Sequence, residues 1–262
     1  MKRILVLLFL FFVAVAGVQA QELSVQEVVE KANRAALYAG EDGVADVQMT
    51  ITDAQGRTRA RKMRILRRDV TDGGEQKFFV FFFEPADVAR TVFMVWKHFD
   101  RDDDRWLYLP GLDLVRRIAA TDKRSSFVGS HFVYEDVSGR SIEADTHELV
   151  GMENEAYKIR NTPKETKGVE FAYYVVWVDA KSFMPLRAEY YDAKDTPVRR
   201  ITAEEIRDIN GFPTVTRSVA EDLKRGGKTT LEFQNVRYDV GLDDAVFAER
   251  YLRKPPVEWT KP

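Results

Sequence analysis

The chain reads as a mainly β protein, an antiparallel meander with few helices. Three observations predict this. Apolar and polar residues alternate with period two in run after run, most cleanly where Ala45, Val47, Met49 and Ile51 interleave with Asp46, Gln48, Thr50 and Thr52. Short turn signals such as Asp72-Gly73-Gly74, Asn210-Gly211 and Arg225-Gly226-Gly227 join successive runs, which means hairpins and not βαβ units. No repeat, low-complexity stretch or Pro/Gly/Ser linker divides the sequence, so one domain is expected.

The elements follow in order. Lys2 and Arg3 precede an apolar run from Ile4 to Ala16, and Val18-Gln19-Ala20 fits a small-residue cleavage site. Residues 1–20 are therefore predicted to be an export signal cleaved after Ala20, with 21–262 as the folded domain. An uncleaved anchor is the weaker alternative, because the run is short for a membrane span. The sequence has no cysteine, which rules out disulfides and an N-terminal lipidated cysteine alike. With Lys2 and Arg3 removed from 40 basic side chains, 38 face 42 acidic ones, a balance that gives no electrostatic reason to expect nucleic acid.

Ser24 and Glu27 form a capping box, with Leu23 and Val28 at its staple positions. Val25, Val28, Val29, Ala32 and Ala36 make a narrow apolar stripe suited to a flat sheet surface, and Gly40 is the predicted stop. Thirteen strand-like runs are expected after it: 45–52, 57–68, 76–84, 91–98, 105–109, 113–118, 142–151, 155–161, 169–179, 184–191, 198–207, 213–222 and 228–238. A small terminal helix is expected next, capped by Asp243 or Asp244, with Val246, Phe247 and Tyr251 on one face.

Two runs break the alternation. Phe78 to Phe83 and Phe171 to Trp177 are apolar on both faces, so something must cover each side of them. Either helices cover a fully packed interior, or a curved sheet encloses an apolar cavity; the pattern leaves both open. The span from Asp104 to Val137, DRWLYLPGLDLVRRIAATDKRSSFVGSHFVYEDV, bears on the choice. It is a short aromatic hairpin followed by a loop of aromatics, small residues and cations, a composition suited to a mobile cover.

That span resembles the signature of the outer-membrane lipoprotein-sorting, LolA-like family of periplasmic carrier relatives, in an exporter-associated subgroup. The likeness runs over nearly the whole mature chain. It implies a half-open antiparallel β-barrel of the LolA/LolB kind, with an N-terminal helix and a helix/loop lid. By the same resemblance, the expected function is a periplasmic carrier or chaperone. It would bind the acyl chains of lipoproteins or lipids for transfer toward the outer membrane, working with an inner-membrane exporter of the resistance-nodulation-division type. The alternative is a lipid- or lipoprotein-sensing regulatory subunit. A monomer with only transient membrane contact is expected, with no cofactor.

Nothing points to an enzyme. His98, His131 and His147 lack metal-ligand spacing, and Asp100, Asp102 and Asp104 begin a calcium-type loop that Arg105 and Gly111 fail to complete. No catalytic residue is assigned. Trp96, Trp106, Tyr108, Phe127, Phe132, Tyr173 and Trp177 are the candidate cavity lining, chosen as large apolar residues from the signature and the two-faced runs. Arg116, Arg117, Lys123 and Arg124 are the candidate head-group or gate residues. Arg57 to Arg68 carries seven cations in twelve positions, read either as a snorkelling strand or as a basic rim for anionic groups.

Overall fold

The computed structural model describes residues 23–261; the predicted signal and its cleavage site lie outside them. The strands are β1 (Asp42–Thr52), β2 (Thr58–Asp69), β3 (Gln76–Glu84), β4 (Val92–Lys97), β5 (Asp104–Leu109), β6 (Leu114–Arg117), β7 (Asp145–Glu153), β8 (Ala156–Pro163), β9 (Tyr173–Asp179), β10 (Pro185–Tyr191), β11 (Pro197–Ile209), β12 (Phe212–Asp222) and β13 (Lys228–Tyr238). All thirteen form one sheet in the order β6-β5-β4-β3-β2-β1-β13-β12-β11-β10-β9-β8-β7, and every neighbouring pair is antiparallel. Two meanders thus fan out from the β1–β13 seam. Their far edges, β6 and β7, do not pair, and the barrel stays half open.

Side-chain alternation sets the two faces. Val47, Met49 and Ile51 of β1, Phe78, Val80 and Phe82 of β3, and Phe93 and Val95 of β4 share the inner core. Phe79, Phe81, Val92, Met94, Trp106 and Tyr108 point outward, where Leu242, Val246, Phe247 and Leu252 of the C-terminal tail cover them. The doubly apolar β3 is therefore buried from both sides. At about 1.5–3 kcal/mol for each fully buried large side chain, the outer cluster is a second core and not a surface patch. The tail forms two short 3-10 turns, Asp244–Phe247 and Glu249–Leu252, in place of the expected helix. Ala248 between them is extended, which lets Phe247 and Leu252 both reach the sheet. Asp243 caps the first turn through Ala245.

Helix α1 (Val25–Leu37) has the predicted capping box, with the Ser24 amide donating to Glu27 at 2.8 Å. Val28, Val29 and Ala32 pack on Ile159 of β8 and Val178 of β9. The helix ends at Leu37, three residues before Gly40, and Arg67 of β2 donates to the carbonyls of Leu37 and Gly40 beyond its last turn. Residues 118–144 then cross the inner face from β6 to β7, and carry the short helix α2 (Tyr134–Ser138). Phe127 and Tyr134 of this segment sit 5.4 and 5.1 Å from the ring of Phe93. Gly139, at φ +76°, brings the end of α2 so close to α1 that a Cβ there would lie 2.4 Å from Leu37.

Candidate functional site

A cavity of about 490 Å³ remains between the sheet, α1 and the crossing segment. Its walls are Val44 and Ala45 of β1, Met63 and Ile65 of β2, Phe78 of β3, Ala188 and Tyr190 of β10, Ile201 and Ala203 of β11, Val215 of β12, and Leu231 and Phe233 of β13. Strands β3 and β10 stand six ladder steps apart, about 29 Å in a flat sheet at ~4.8 Å per step. Both border one cavity, so the sheet curls around it. Ala35, Ala36 and Leu37 of α1 close one side, and Phe127, Phe132 and Val137 of the crossing segment close another.

The space stays open because small residues stand where the inner face would otherwise be filled. Ala45, Ala188 and Ala203 project from the strands between larger neighbours, and Ala35, Ala36 and Ala39 line the helix side. A cluster of ion-paired side chains lies at one end, apart from Arg67 and Arg187, which also border the space. Arg124 donates to Glu135 at 2.9 Å and forks onto Glu170 at 3.0 Å. Arg140 forks onto Asp145 at 2.8 Å and reaches Glu135 at 3.3 Å. Lys123 adds a third cation 3.4 Å from Glu135. Burial pushes the Glu135 carboxyl up, but Arg140, Arg124 and Lys123 outweigh it and hold the group below its ordinary range. Burial likewise opposes the charge on Arg124 and Arg140, and their carboxylate partners outweigh it and raise both. Each of these cations is neutralised where it stands. The cavity is an apolar container with an ion-paired end wall.

The structure divides the sequence-derived candidates. Phe127 and Phe132 border the cavity, and so does Arg124. Trp96, Trp106 and Tyr108 do not: they are outward residues of β4 and β5, packed under the C-terminal tail, with the Trp96 indole donating to Phe247 at 2.9 Å. Tyr173 and Trp177 also leave the cavity. Both belong to a separate cluster with Ala156 and Val175, while their neighbours on β9, Val176 and Val178, face α1. Guanidinium groups cover these two rings, Arg160 at 3.8 Å from Tyr173 and Arg187 at 3.7 Å from Trp177. Arg116 and Arg117 sit on the edge strand β6 and are mostly exposed. Arg116 meets Asp122 at 3.6 Å and Arg117 pairs with Asp104, so neither reaches the cavity. Lys123 stands behind Glu135 without bordering it.

The basic β2 run has a use that neither sequence reading foresaw. Arg61 donates to the Val128 carbonyl, Arg64 to those of Trp259 and Lys261 at 3.1 and 3.0 Å, and Arg68 to that of Leu242. Together with Arg67, which holds the end of α1, these arginines tie the covering segments to the sheet. Of the three aspartates in the calcium-like run, Asp100 and Asp102 are exposed and Asp104 is buried against His98, Arg101 and Arg117. Among the described residues no group of three or more His, Cys, Asp or Glu is placed to hold a metal ion.

A family model described as that of an uncharacterized protein matches residues 74–254. A solved structure of a DUF1329 family protein from Desulfovibrio piger is 32% identical, over 87% of this chain and 98% of that one, with a TM-score of 0.79. The chain belongs to the DUF1329 family. This family member also resembles a putative outer membrane lipoprotein-sorting protein domain from Vibrio parahaemolyticus, 27% identical over 87% of this chain and 97% of that one, at a TM-score of 0.78. A LolA superfamily protein from Nitrosomonas europaea shares the fold, at 19% identity over 88% and 100% of the two chains and a TM-score of 0.68. The half-open, LolA-like architecture expected from the signature is thus the architecture present. No curated protein matches the chain.

Proposed function

We propose that this protein is a carrier that shelters the acyl chain of a lipoprotein or lipid while it crosses the aqueous periplasm toward the outer membrane. The observation that carries the reading is the apolar cavity itself, whose volume of about 490 Å³ falls in the ~300–1,000 Å³ range of sites that enclose a small ligand. An acyl chain in water costs about 0.8 kcal/mol per methylene, so a walled apolar space is the physical requirement for moving one through water. The likeness to a putative lipoprotein-sorting domain supports the same class of cargo. Delivery would be coupled to an inner-membrane exporter of the resistance-nodulation-division type, and the protein contributes binding without chemistry. Native mass spectrometry of protein purified gently from the periplasmic fraction tests the reading. Adducts with the mass of a lipid or an acylated peptide are expected; a bare protein mass from cells, together with no uptake of added lipid, would refute it.

A further inference from the structure

At the polar end of the cavity and in the layer behind it, donors outnumber the acceptors they use. Tyr190 borders the space and is buried. The tyrosines around it are committed: Tyr174 donates to Asp145 at 2.7 Å, Tyr173 to Asp195 at 2.8 Å and Tyr191 to Glu189 at 2.6 Å. The Tyr190 hydroxyl makes no hydrogen bond among the described residues. Beside it, the Arg199 guanidinium lies 5.0 Å from the Tyr190 ring centroid. One of its nitrogens, Nη2, pairs with Asp136, itself a wall residue, while Nε and Nη1 are buried without a partner. Unmet buried donors are costly, and native proteins keep few of them.

The charge count decides which acceptor suits the place. Lys123, Arg124, Arg140 and Arg199 are matched there by Glu135, Asp136, Asp145 and Glu170. A phosphate or carboxylate arriving at this end would bury an uncompensated negative charge. A neutral oxygen acceptor would meet the Tyr190 hydroxyl, the donor that borders the cavity, and add no charge. We infer that the Tyr190 hydroxyl, backed by Arg199, forms a subsite for an uncharged carbonyl oxygen, an ester or amide, on the inserted part of the cargo. The inference rests on the carrier reading and deepens it. The cargo chain enters with its ester or amide linkage drawn inside, and any charged head group stays outside the cavity.

The test uses the mature protein and three probes of one chain length: dodecane, methyl laurate and laurate. Each is measured by displacement of N-phenylnaphthylamine at neutral pH. The wild type is expected to bind methyl laurate more tightly than dodecane, and laurate more weakly than methyl laurate. Tyr190→Phe removes only the hydroxyl, and should lower the ester-over-alkane ratio by about three- to tenfold, the worth of one neutral hydrogen bond. Arg199→Lys keeps a cation for Asp136 while removing the guanidinium packed on the Tyr190 ring, and should lower the same ratio. An unchanged ratio in both variants, or laurate binding more tightly than its ester, overturns the subsite while leaving the carrier reading standing. Failure of all three probes to displace the dye from the wild type overturns both.

Discussion

Ala188→Trp separates a working container from an incidental void. Ala188 projects into the cavity from β10, with Ile201 and Val176 as its cross-strand neighbours. An indole added there enters space that is already empty, so it creates no overpacking and should leave the thermal midpoint at or above that of the wild type. It takes room from the cargo. Each methylene forced back into water costs about 0.8 kcal/mol, so displacing three costs about 2.4 kcal/mol, roughly a fiftyfold loss of affinity. Ala188→Leu fills less of the space and should fall between the two. The assay is dye displacement by methyl laurate, with circular dichroism and thermal melting as the controls for folding. An affinity within twofold of the wild type in a folded Ala188→Trp protein would show that cargo does not occupy this cavity.

Glu135→Gln leaves three cations facing a neutral amide, although Arg124 keeps Glu170 and Arg140 keeps Asp145. The expected destabilisation is about 1.5–3 kcal/mol in urea melts, less than the ~3–5 kcal/mol for a pair with no second partner. Phe247→Ala, in the fully buried outer core, should cost about 3–5 kcal/mol with little effect on cargo affinity once the protein is folded. Lys97 is buried, and burial lowers its ammonium from 10.5 to about 8. The unfolded chain therefore binds this proton more tightly than the native state does, so the lysine's contribution to stability grows as pH rises from about 8 to 10.5 and is lost on the way down. The wild type should gain on the order of 2 kcal/mol over a Lys97→Met variant across that window, and parallel pH profiles of the two proteins would disprove the linkage.

Much of the architecture was legible because strand period is a local signal. All thirteen expected runs correspond to observed strands, and the capping box at Ser24 is present as read. Periodicity says which residues share a face, and it does not say which face is the inner one. Size singles out Trp96 and Trp106, yet these two share their face with Phe79 and Phe81, which the distant C-terminal tail covers, while Phe93 of the same β4 faces inward. That contact joins residues about 150 positions apart in the chain, and no window of local sequence contains it. A cavity wall calls for the opposite choice, small side chains at inward positions. Ala45, Ala188 and Ala203 carried that signal, but an alanine in a strand also reads as a weak strand former. Arg124 was distinguishable from Arg116 and Arg117 only through Glu135, Glu170 and Phe171, which the fold collects around it.

The crossing segment was expected to be a mobile cover, and its attachments argue that it is a wall. Arg61 holds the Val128 carbonyl, Arg199 holds Asp136, and Lys97 holds the Ser138 carbonyl at 2.9 Å, all three reaching from the sheet. Arg124 ties the same segment to Glu170 in the β8–β9 connection. With charged hydrogen bonds at about 1.5–3 kcal/mol each, lifting residues 118–144 as a unit gives up about 6–12 kcal/mol, comparable to the whole stability of a typical domain. The α1 side is held differently. Ala35, Ala36 and Ala39 offer small side chains to the cavity, and beyond them the chain is fastened by Arg67 to the Leu37, Ala39 and Gly40 carbonyls, by Gln76 to the Leu37 carbonyl at 2.8 Å, and by Tyr38 to the Gly74 carbonyl at 2.7 Å. The anchored apolar stripe of Val28, Val29 and Ala32 lies nearer the start of the helix. Displacing residues 35–40 therefore breaks the Arg67 cluster and the neutral hydrogen bonds made by Gln76 and Tyr38, while the stripe stays docked. At about 1.5–3 kcal/mol for each of three charged bonds from Arg67 and about 0.5–1.5 for each neutral one, the α1 end is held by about 5.5–12 kcal/mol, so it closes the cavity about as firmly as the crossing segment does on the other side.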